Sequence, residues 1–297
     1  MAYASLLRGA ARTMALYDID RDRALAEVLD LDHGSQFYPT ANVIGSDDIA
    51  VTAESEIVVM TAGAKQKPGQ TRLELATVNV QMCRSLMPKL LELSPDAIFL
   101  LVTNPVDVVT HAAVQASGLT NGRVFGSGTV LDSSRLRTLL AQECDVAVHS
   151  VNAFIVGEHG DSQVPVWSQA DIGGVPIRDW CPSGGTPLDE QTLDRIAHEV
   201  VNAAEQIIRG KGATNFAVGL SAAEIVAAVL NHERSVMPVS SLLAGQYGMD
   251  DVCLSLPSIV DGNGVDVVLT PPLSEHETGA LRHSAETIRG VQRSLGI

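Results

Sequence analysis

Ala97-Ile-Phe-Leu-Leu-Val102 is apolar at every position, with Pro95 ahead of it and Thr103-Asn104-Pro105 behind it. A strand that is apolar on both faces needs cover on both faces, which a sheet with one wet side does not supply. Two more runs have this character: Thr13-Met-Ala-Leu-Tyr17, ending at Asp18, and Glu56-Ile-Val-Val-Met60, ending at Thr61-Ala-Gly63. A short fourth run, Arg123-Val-Phe125, leads into Gly126-Ser127-Gly128. Between them lie stretches with helical spacing: 20–32 through Ala24, Val28 and Leu31; 73–93, where Pro88 predicts a kink or a break; and 105–117 behind Pro105. Apolar strands alternating with helices predict an α/β domain with a parallel sheet covered on both sides.

Past Gly128 the pattern changes. Residues 130–144 read as helix and 151–156 as strand, and 164–187 read as hairpins and loops rich in Gly and Pro. Two helices are expected at 188–210 and 214–231, separated by Gly210-Lys211-Gly212. An antiparallel meander is expected over 235–269 and an amphipathic helix over 273–296. The expected division is a nucleotide-binding type of domain over 1–127 and an α+β domain over 128–297.

Charge removes several classes of partner. The chain has 35 acidic against 20 basic residues, a net of −15. Nucleic acids and anionic membranes both require a basic face, and no apolar run reaches the ~18 residues of a membrane span. The cysteines, at 83, 144, 181 and 253, have no CxxC spacing and no nearby His, so no metal site is expected. They read as reduced thiols of a cytoplasmic protein. Residues 1–17 carry Arg8 and Arg12 and no acid before Asp18, as a targeting segment does, but Ala2, Ser5, Leu6 and Leu7 fit a buried helix equally well, and no targeting segment is expected.

Asp18 stands at a strand end before a helix, where a dinucleotide-binding fold places the acid that bonds the adenosine ribose. Taken alone it equally suits a helix N-cap. The matching GxGxxG turn lies about 20 residues earlier in such folds, which is upstream of Met1. The first residues resemble the body of the helix after that turn. The Rossmann-type sheet is therefore expected without its first strand and glycine loop.

Polar clusters close three of the strands: Thr61 to Arg72, Thr103-Asn104-Pro-Val-Asp107, and Gly126-Ser-Gly-Thr129. Ligands of open parallel sheets bind at this carboxyl edge. The second half adds Leu131-Asp132-Ser-Ser-Arg135 and Gly157-Glu-His159-Gly-Asp161. Singly, each has an ordinary explanation: Asp132 as an N-cap, His159 as a loop residue, Arg72 as a solvated charge. Together they suit reduction of a small anionic carbonyl compound. An imidazolium gives its proton to the developing alkoxide, a carboxylate stabilises the imidazolium, one guanidinium grips a substrate carboxylate and another polarises the carbonyl.

GEHGDS at 157–162, TNPVD at 103–107, LDSSR at 131–135 and TAGAKQKPGQTR at 61–72 resemble the L-lactate/malate dehydrogenase family, in order and along the whole chain. The resemblance implies NAD as cofactor, interconversion of pyruvate and (S)-lactate, and a homotetramer. It implies His159 as proton donor and acceptor, Asp132 orienting it, Arg135 on the substrate carboxylate and Arg72 on the carbonyl, with Asn104 and Thr214 lining the substrate. Gln66 stands where malate enzymes carry Arg and bacterial lactate enzymes Gln, which implies a substrate without a second carboxylate. Asp18, Gly63, Ala64, Ser85, Val102, Asn104 and Ser127 match cofactor-contacting positions. Arg137 matches half of an Arg/His pair that binds fructose 1,6-bisphosphate, but Asn152 stands in place of the His, which implies weak activation or none. Two other readings stay open here: another L-2-hydroxyacid dehydrogenase with a larger pocket, and a non-catalytic subunit lacking the glycine turn.

Overall fold

The first strand, β1 (Thr13–Tyr17), follows a short helix, α1 (Ala2–Leu7), and leads through α2 (Arg21–His33) to β2 (Asn42–Ser46) in a computed structural model that describes residues 1–64, 71–119, 122–181 and 187–297. β1 and β2 pair in parallel. The chain then forms β3 (Ile57–Met60), α3 (Arg72–Leu93), β4 (Ile98–Leu101), α4 (Val106–Ser117) and β5 (Val124–Gly126). β3, β4 and β5 run parallel, with Met60 level with Leu101 and Leu101 level with Gly126. That register sets Thr61, Val102 and Ser127 at one edge of the sheet.

All four residues of β4 are buried, while Ile57 to Val59 of β3 are only half-buried. β4 has a strand on each side; β3 is the edge of its sheet. Among the described residues no strand joins β1 to β3, so the parallel strands fall into a pair and a triplet.

Helix α3 opens on a capping box: the Thr71 hydroxyl accepts from the Glu74 amide at 3.1 Å, and the Glu74 carboxylate accepts from the Thr71 amide at 2.8 Å. It runs unbroken past Pro88. Pro88 is exposed, so the missing backbone donor falls on a face where water replaces it. The buried stripe Ala76, Val80, Cys83, Met87 and Leu90 packs on α4. Burial there pushes the Cys83 thiol pKa up to about 12, that of an inert core residue.

The second half forms α5 (Val130–Cys144), the two-residue strands β6 (Val151–Asn152), β7 (Ile155–Val156), β8 (Val164–Pro165), β9 (Asp171–Ile172) and β10 (Val175–Pro176), and α6 (Glu190–Lys211). The strand expected over 151–156 is thus two short ones. Leu136, Leu140 and Cys144 of α5 and Leu193, Ile196 and Val200 of α6 share a core with Ile155, Ile172 and Ile177.

After α7 (Phe216–Leu230) come β11 (Ser235–Ala244), β12 (Asp250–Asp261), β13 (Gly264–Val268) and α8 (Glu275–Leu295). The connections from β11 to β12 and from β12 to β13 are too short for parallel crossovers, so the meander is antiparallel. It extends the triplet into a sheet ordered β13-β12-β11-β5-β4-β3.

Two compact units result. One comprises Met1–Ser127, Asn215–Val236 and Ile259–Val267; the other comprises Gly128–Thr214, Met237–Ser258 and Val268–Ile297. After leaving the first unit at Ser127, the chain thus returns to it with α7 and again with the end of β12 and most of β13. The apolar helix α7 packs on α1 and β3 of the first unit, and the ends of β12 and β13 continue that unit's sheet.

Candidate active site

In the second unit Asp132 lies in the first turn of α5, not at its N-cap, which is Thr129. Its side chain is 3% exposed. One carboxylate oxygen lies 2.5 Å from His159 Nδ1 and the other accepts from Arg135 Nη1 at 2.8 Å. Burial opposes ionisation of Asp132. The charges and hydrogen bonds of His159 and Arg135 outweigh it and hold the carboxyl below its usual pKa. The helix N-terminus also favours the anion. The carboxylate is thus charged and fully engaged, and it turns the imidazole so that Nε2 points away from it.

Three further bonds fix this geometry. The Ser133 hydroxyl accepts from the Ile155 amide at 2.9 Å, tying α5 to β7 just ahead of the His159 loop. Gly157, at φ +91°, exchanges both backbone bonds with Ser255 of β12 at 2.9 Å. The His159 side chain remains 25% exposed and that of Arg135 14%. Among the described residues the Arg135 guanidinium has given one N–H to Asp132, and the rest of its planar fork remains for a ligand.

In the first unit the strand-end residues form a second cluster. Asn79 of α3 is 1% exposed; its amide oxygen accepts from the Ala64 amide at 2.8 Å and its amide nitrogen donates to Asn104 O at 2.7 Å. Thr103 donates to Met60 O at 3.2 Å and Ala62 O at 2.6 Å. Val102 N bonds Met60 O at 2.9 Å and Ser127 N bonds Leu101 O at 2.8 Å. A Cβ at Gly63 would meet the Thr103 methyl at 2.7 Å, so the backbone there stays bare. Asn104, before a cis Pro105, is exposed. Gly63, Ala64, Val102, Asn104 and Ser127 thus share one edge. Its narrow, glycine-bared turn fits a flat, extended cofactor such as a dinucleotide.

Asp18 lies at the end of β1, half-buried, accepting from the Asp20 amide at 3.0 Å and 3.8 Å from Arg23 Nε. Asp20, not Asp18, caps α2. Ser85 is exposed midway along α3, its hydroxyl donating to Met82 O at 2.8 Å, apart from the Asn79 bonds. Thr214 is half-buried just before α7. Gln66 lies outside the described residues, as does the side chain of Arg72, whose backbone opens α3. Arg137 Nε donates to Ala153 O at 2.7 Å, and burial pushes its guanidinium pKa down. Asn152 donates to Asp171 at 2.9 Å.

Asn79 and Ser133 are absent from the sequence expectations. Asn79 did leave a signal: a polar side chain on the core stripe of a helix that otherwise buries Ala76, Val80 and Cys83. A buried amide of that kind is retained where both its halves find partners.

Among the described residues no helix is long and apolar enough to cross a membrane. The family model for the lactate/malate dehydrogenase NAD binding domain matches residues 1–126, and that for the lactate/malate dehydrogenase alpha/beta C-terminal domain matches 129–292. An L-lactate dehydrogenase of Bifidobacterium animalis subsp. lactis is 50% identical over 297 residues, covering 100% of this chain and 93% of the relative. One from Synechococcus is 46% identical, covering 99% and 94%. The minor L-lactate dehydrogenase of Enterococcus mundtii, solved with ligands bound, superposes with a TM-score of 0.94 at 37% identity, covering 99% of this chain and 93% of that one.

Proposed function

Because the chain belongs to the lactate/malate dehydrogenase family and catalyses NAD-dependent L-lactate dehydrogenation, we propose that His159 moves the proton of that reaction while Asp132 orients it. The observation that carries this is the 2.5 Å contact of His159 Nδ1 with the buried, ionised Asp132. With Nδ1 held by the carboxylate, Nε2 is the atom that hands a proton to the carbonyl oxygen of pyruvate and takes it back from the hydroxyl of lactate. When bound, NAD supplies the hydride exchange at the substrate C2. Arg135 receives the substrate carboxylate on the part of its fork that Asp132 leaves. Arg72 polarises the carbonyl, and Gln66, Asn104 and Thr214 line the rest of the substrate. Replacing His159 by Asn is the direct test.

Asp18, Gly63, Ala64, Ser85, Val102, Asn104 and Ser127 hold the cofactor in this reading. The half-buried Asp18 carboxylate suits ribose hydroxyls and repels a 2′-phosphate. NADPH is expected to support turnover at least about 100-fold less well than NADH by kcat/KM, and Asp18→Ala to narrow that ratio about tenfold. Equal kcat/KM for the two cofactors in the unaltered protein removes Asp18 from the ribose site.

Fructose 1,6-bisphosphate is expected to lower the apparent KM for pyruvate less than about twofold. A bisphosphate site needs several cations to offset phosphate desolvation. Arg137 is half-buried against Ala153 O, and neutral Asn152 is engaged by the Asp171 carboxylate, which repels phosphate. A pyruvate titration with millimolar effector at two pH values decides this; a large drop in KM shows that other basic groups complete the site.

The same reading makes the protein a cytoplasmic homotetramer in fermentative glycolysis. Exposed Tyr3 and Leu7 on α1, beside Phe216 and Leu220 on α7, support self-association.

A further inference from the structure

We infer that Ser284 of α8 is a positioning residue for His159, its buried hydroxyl fixing the loop that carries the imidazole against Asp132. This rests on the assignment of His159 as the proton-transfer group.

Ser284 is 0% exposed and sits on the core stripe of α8 with Leu281, Ala285 and Ile288. A hydroxyl there contributes little to an apolar contact and needs a partner. It accepts from the Glu158 amide at 2.7 Å, one residue before His159. The Glu158 carboxylate reaches forward along the chain and accepts from the Ser162 amide at 3.2 Å and from the Ser162 hydroxyl. The Ser162 and Ser284 hydroxyls are 3.2 Å apart. The loop is therefore closed on both sides of His159, and the closure rests on Ser284. A Cβ at Gly157 would meet Ser284 Oγ at 2.7 Å, so the glycine that opens GEHGDS is required by this same side chain as well as by its positive φ.

Ser284→Ala leaves the Glu158 amide without its acceptor and lets the loop drift. A displacement of the imidazole by about 1 Å is enough to cost up to about 100-fold in rate. The expected result is a kcat for pyruvate reduction down about tenfold and a KM for NADH unchanged within about twofold. The pH at which reduction falls off should move down by about 0.5 unit, because a looser carboxylate stabilises the imidazolium less. The charged groups on the loop and on α5, namely Glu158, Asp161, Asp132 and Arg135, are unaltered by the substitution.

The experiment compares pH profiles of kcat, melting temperatures and KM for NADH in the full-length unaltered protein, Ser284→Ala, Ala285→Gly and His159→Asn. Ala285→Gly weakens the same turn of α8 without removing the hydroxyl, so it should lower the melting temperature and keep the unaltered pH profile. If Ser284→Ala fails to fold, Ser162→Ala takes its place, with a shift in the same direction. An inactive His159→Asn with a displaced limb in Ser284→Ala supports the inference. An inactive His159→Asn with an unaltered profile and kcat in Ser284→Ala overturns it and leaves His159 in its role. Equal displacement in Ser284→Ala and Ala285→Gly overturns it too. An active His159→Asn removes the proton-transfer assignment itself, and the inference falls with it.

Discussion

His159→Asn should bind NADH nearly as well as the unaltered protein and reduce pyruvate about 10²–10⁴-fold more slowly, the range of general acid catalysis. Asn is polar and of similar reach, but it carries no transferable proton. The fold should tolerate the change. Asp132 keeps its 2.8 Å bond from Arg135, so the buried carboxylate is not stranded without a cation. The strand-end cluster around Gly63, Asn104 and Asn79, the proposed cofactor edge, belongs to the other unit and does not include His159. The pH dependence gives an independent check. Reduction needs the imidazolium, so it falls as pH rises through the titration of His159; lactate oxidation needs the neutral ring and rises over the same interval. Both limbs should be lost in the variant. Near-normal turnover, or a retained limb, in purified His159→Asn takes this residue out of the mechanism.

Gln66→Arg should raise the ratio of kcat/KM for oxaloacetate over pyruvate by about 100-fold, or roughly 2.7 kcal/mol. The argument is one of charge. In the proposed role of Gln66, a neutral amide facing the substrate methyl leaves a second carboxylate with no cation, and enclosing an unpaired charge is costly. Arg supplies that cation for oxaloacetate, and is itself left unpaired when pyruvate binds, so the substitution acts on both members of the ratio. Steady-state kinetics with both substrates measures it. A ratio that stays where it was removes Gln66 from the substrate pocket.

Local features were open to reading from the residues alone. The apolar run 97–102 contains β4, and Thr13–Tyr17 is β1, because runs of apolar side chains, bounded in the first case by Pro95 and Pro105, act over a few positions. The helices expected at 105–117, 130–144 and 273–296 from spacing and from Pro105 stand at 106–117, 130–144 and 275–295. β2 was not legible: Asn42-Val-Ile-Gly-Ser46 has two apolar residues and a glycine, and becomes a strand only because β1 pairs with it. Pro88 pointed to a kink or a break, and the helix continues through it without a break because the proline lies on an exposed face.

The chemistry divides in the same way. His159, Asp132 and Arg135 stand out in the sequence as residue types and as motifs, because an imidazole, a carboxylate and a guanidinium near glycines have few other joint uses. Their grouping is tertiary. Asp132 and His159 are 27 residues apart, and Ser284 reaches Glu158 across 126. No local propensity encodes those distances; they arise when α5, β7, β12 and α8 pack and their buried polar groups must find one another. Chain order likewise gave no reason for α7 to join the first unit, since its allegiance follows from the apolar faces of α1 and β3 that it covers. The residues alone showed which side chains are available for acid–base and anion chemistry, and they placed the long helices and the continuous apolar strands. Only the packed structure decided which of them meet, because register and burial are set by contacts between segments that the chain keeps far apart.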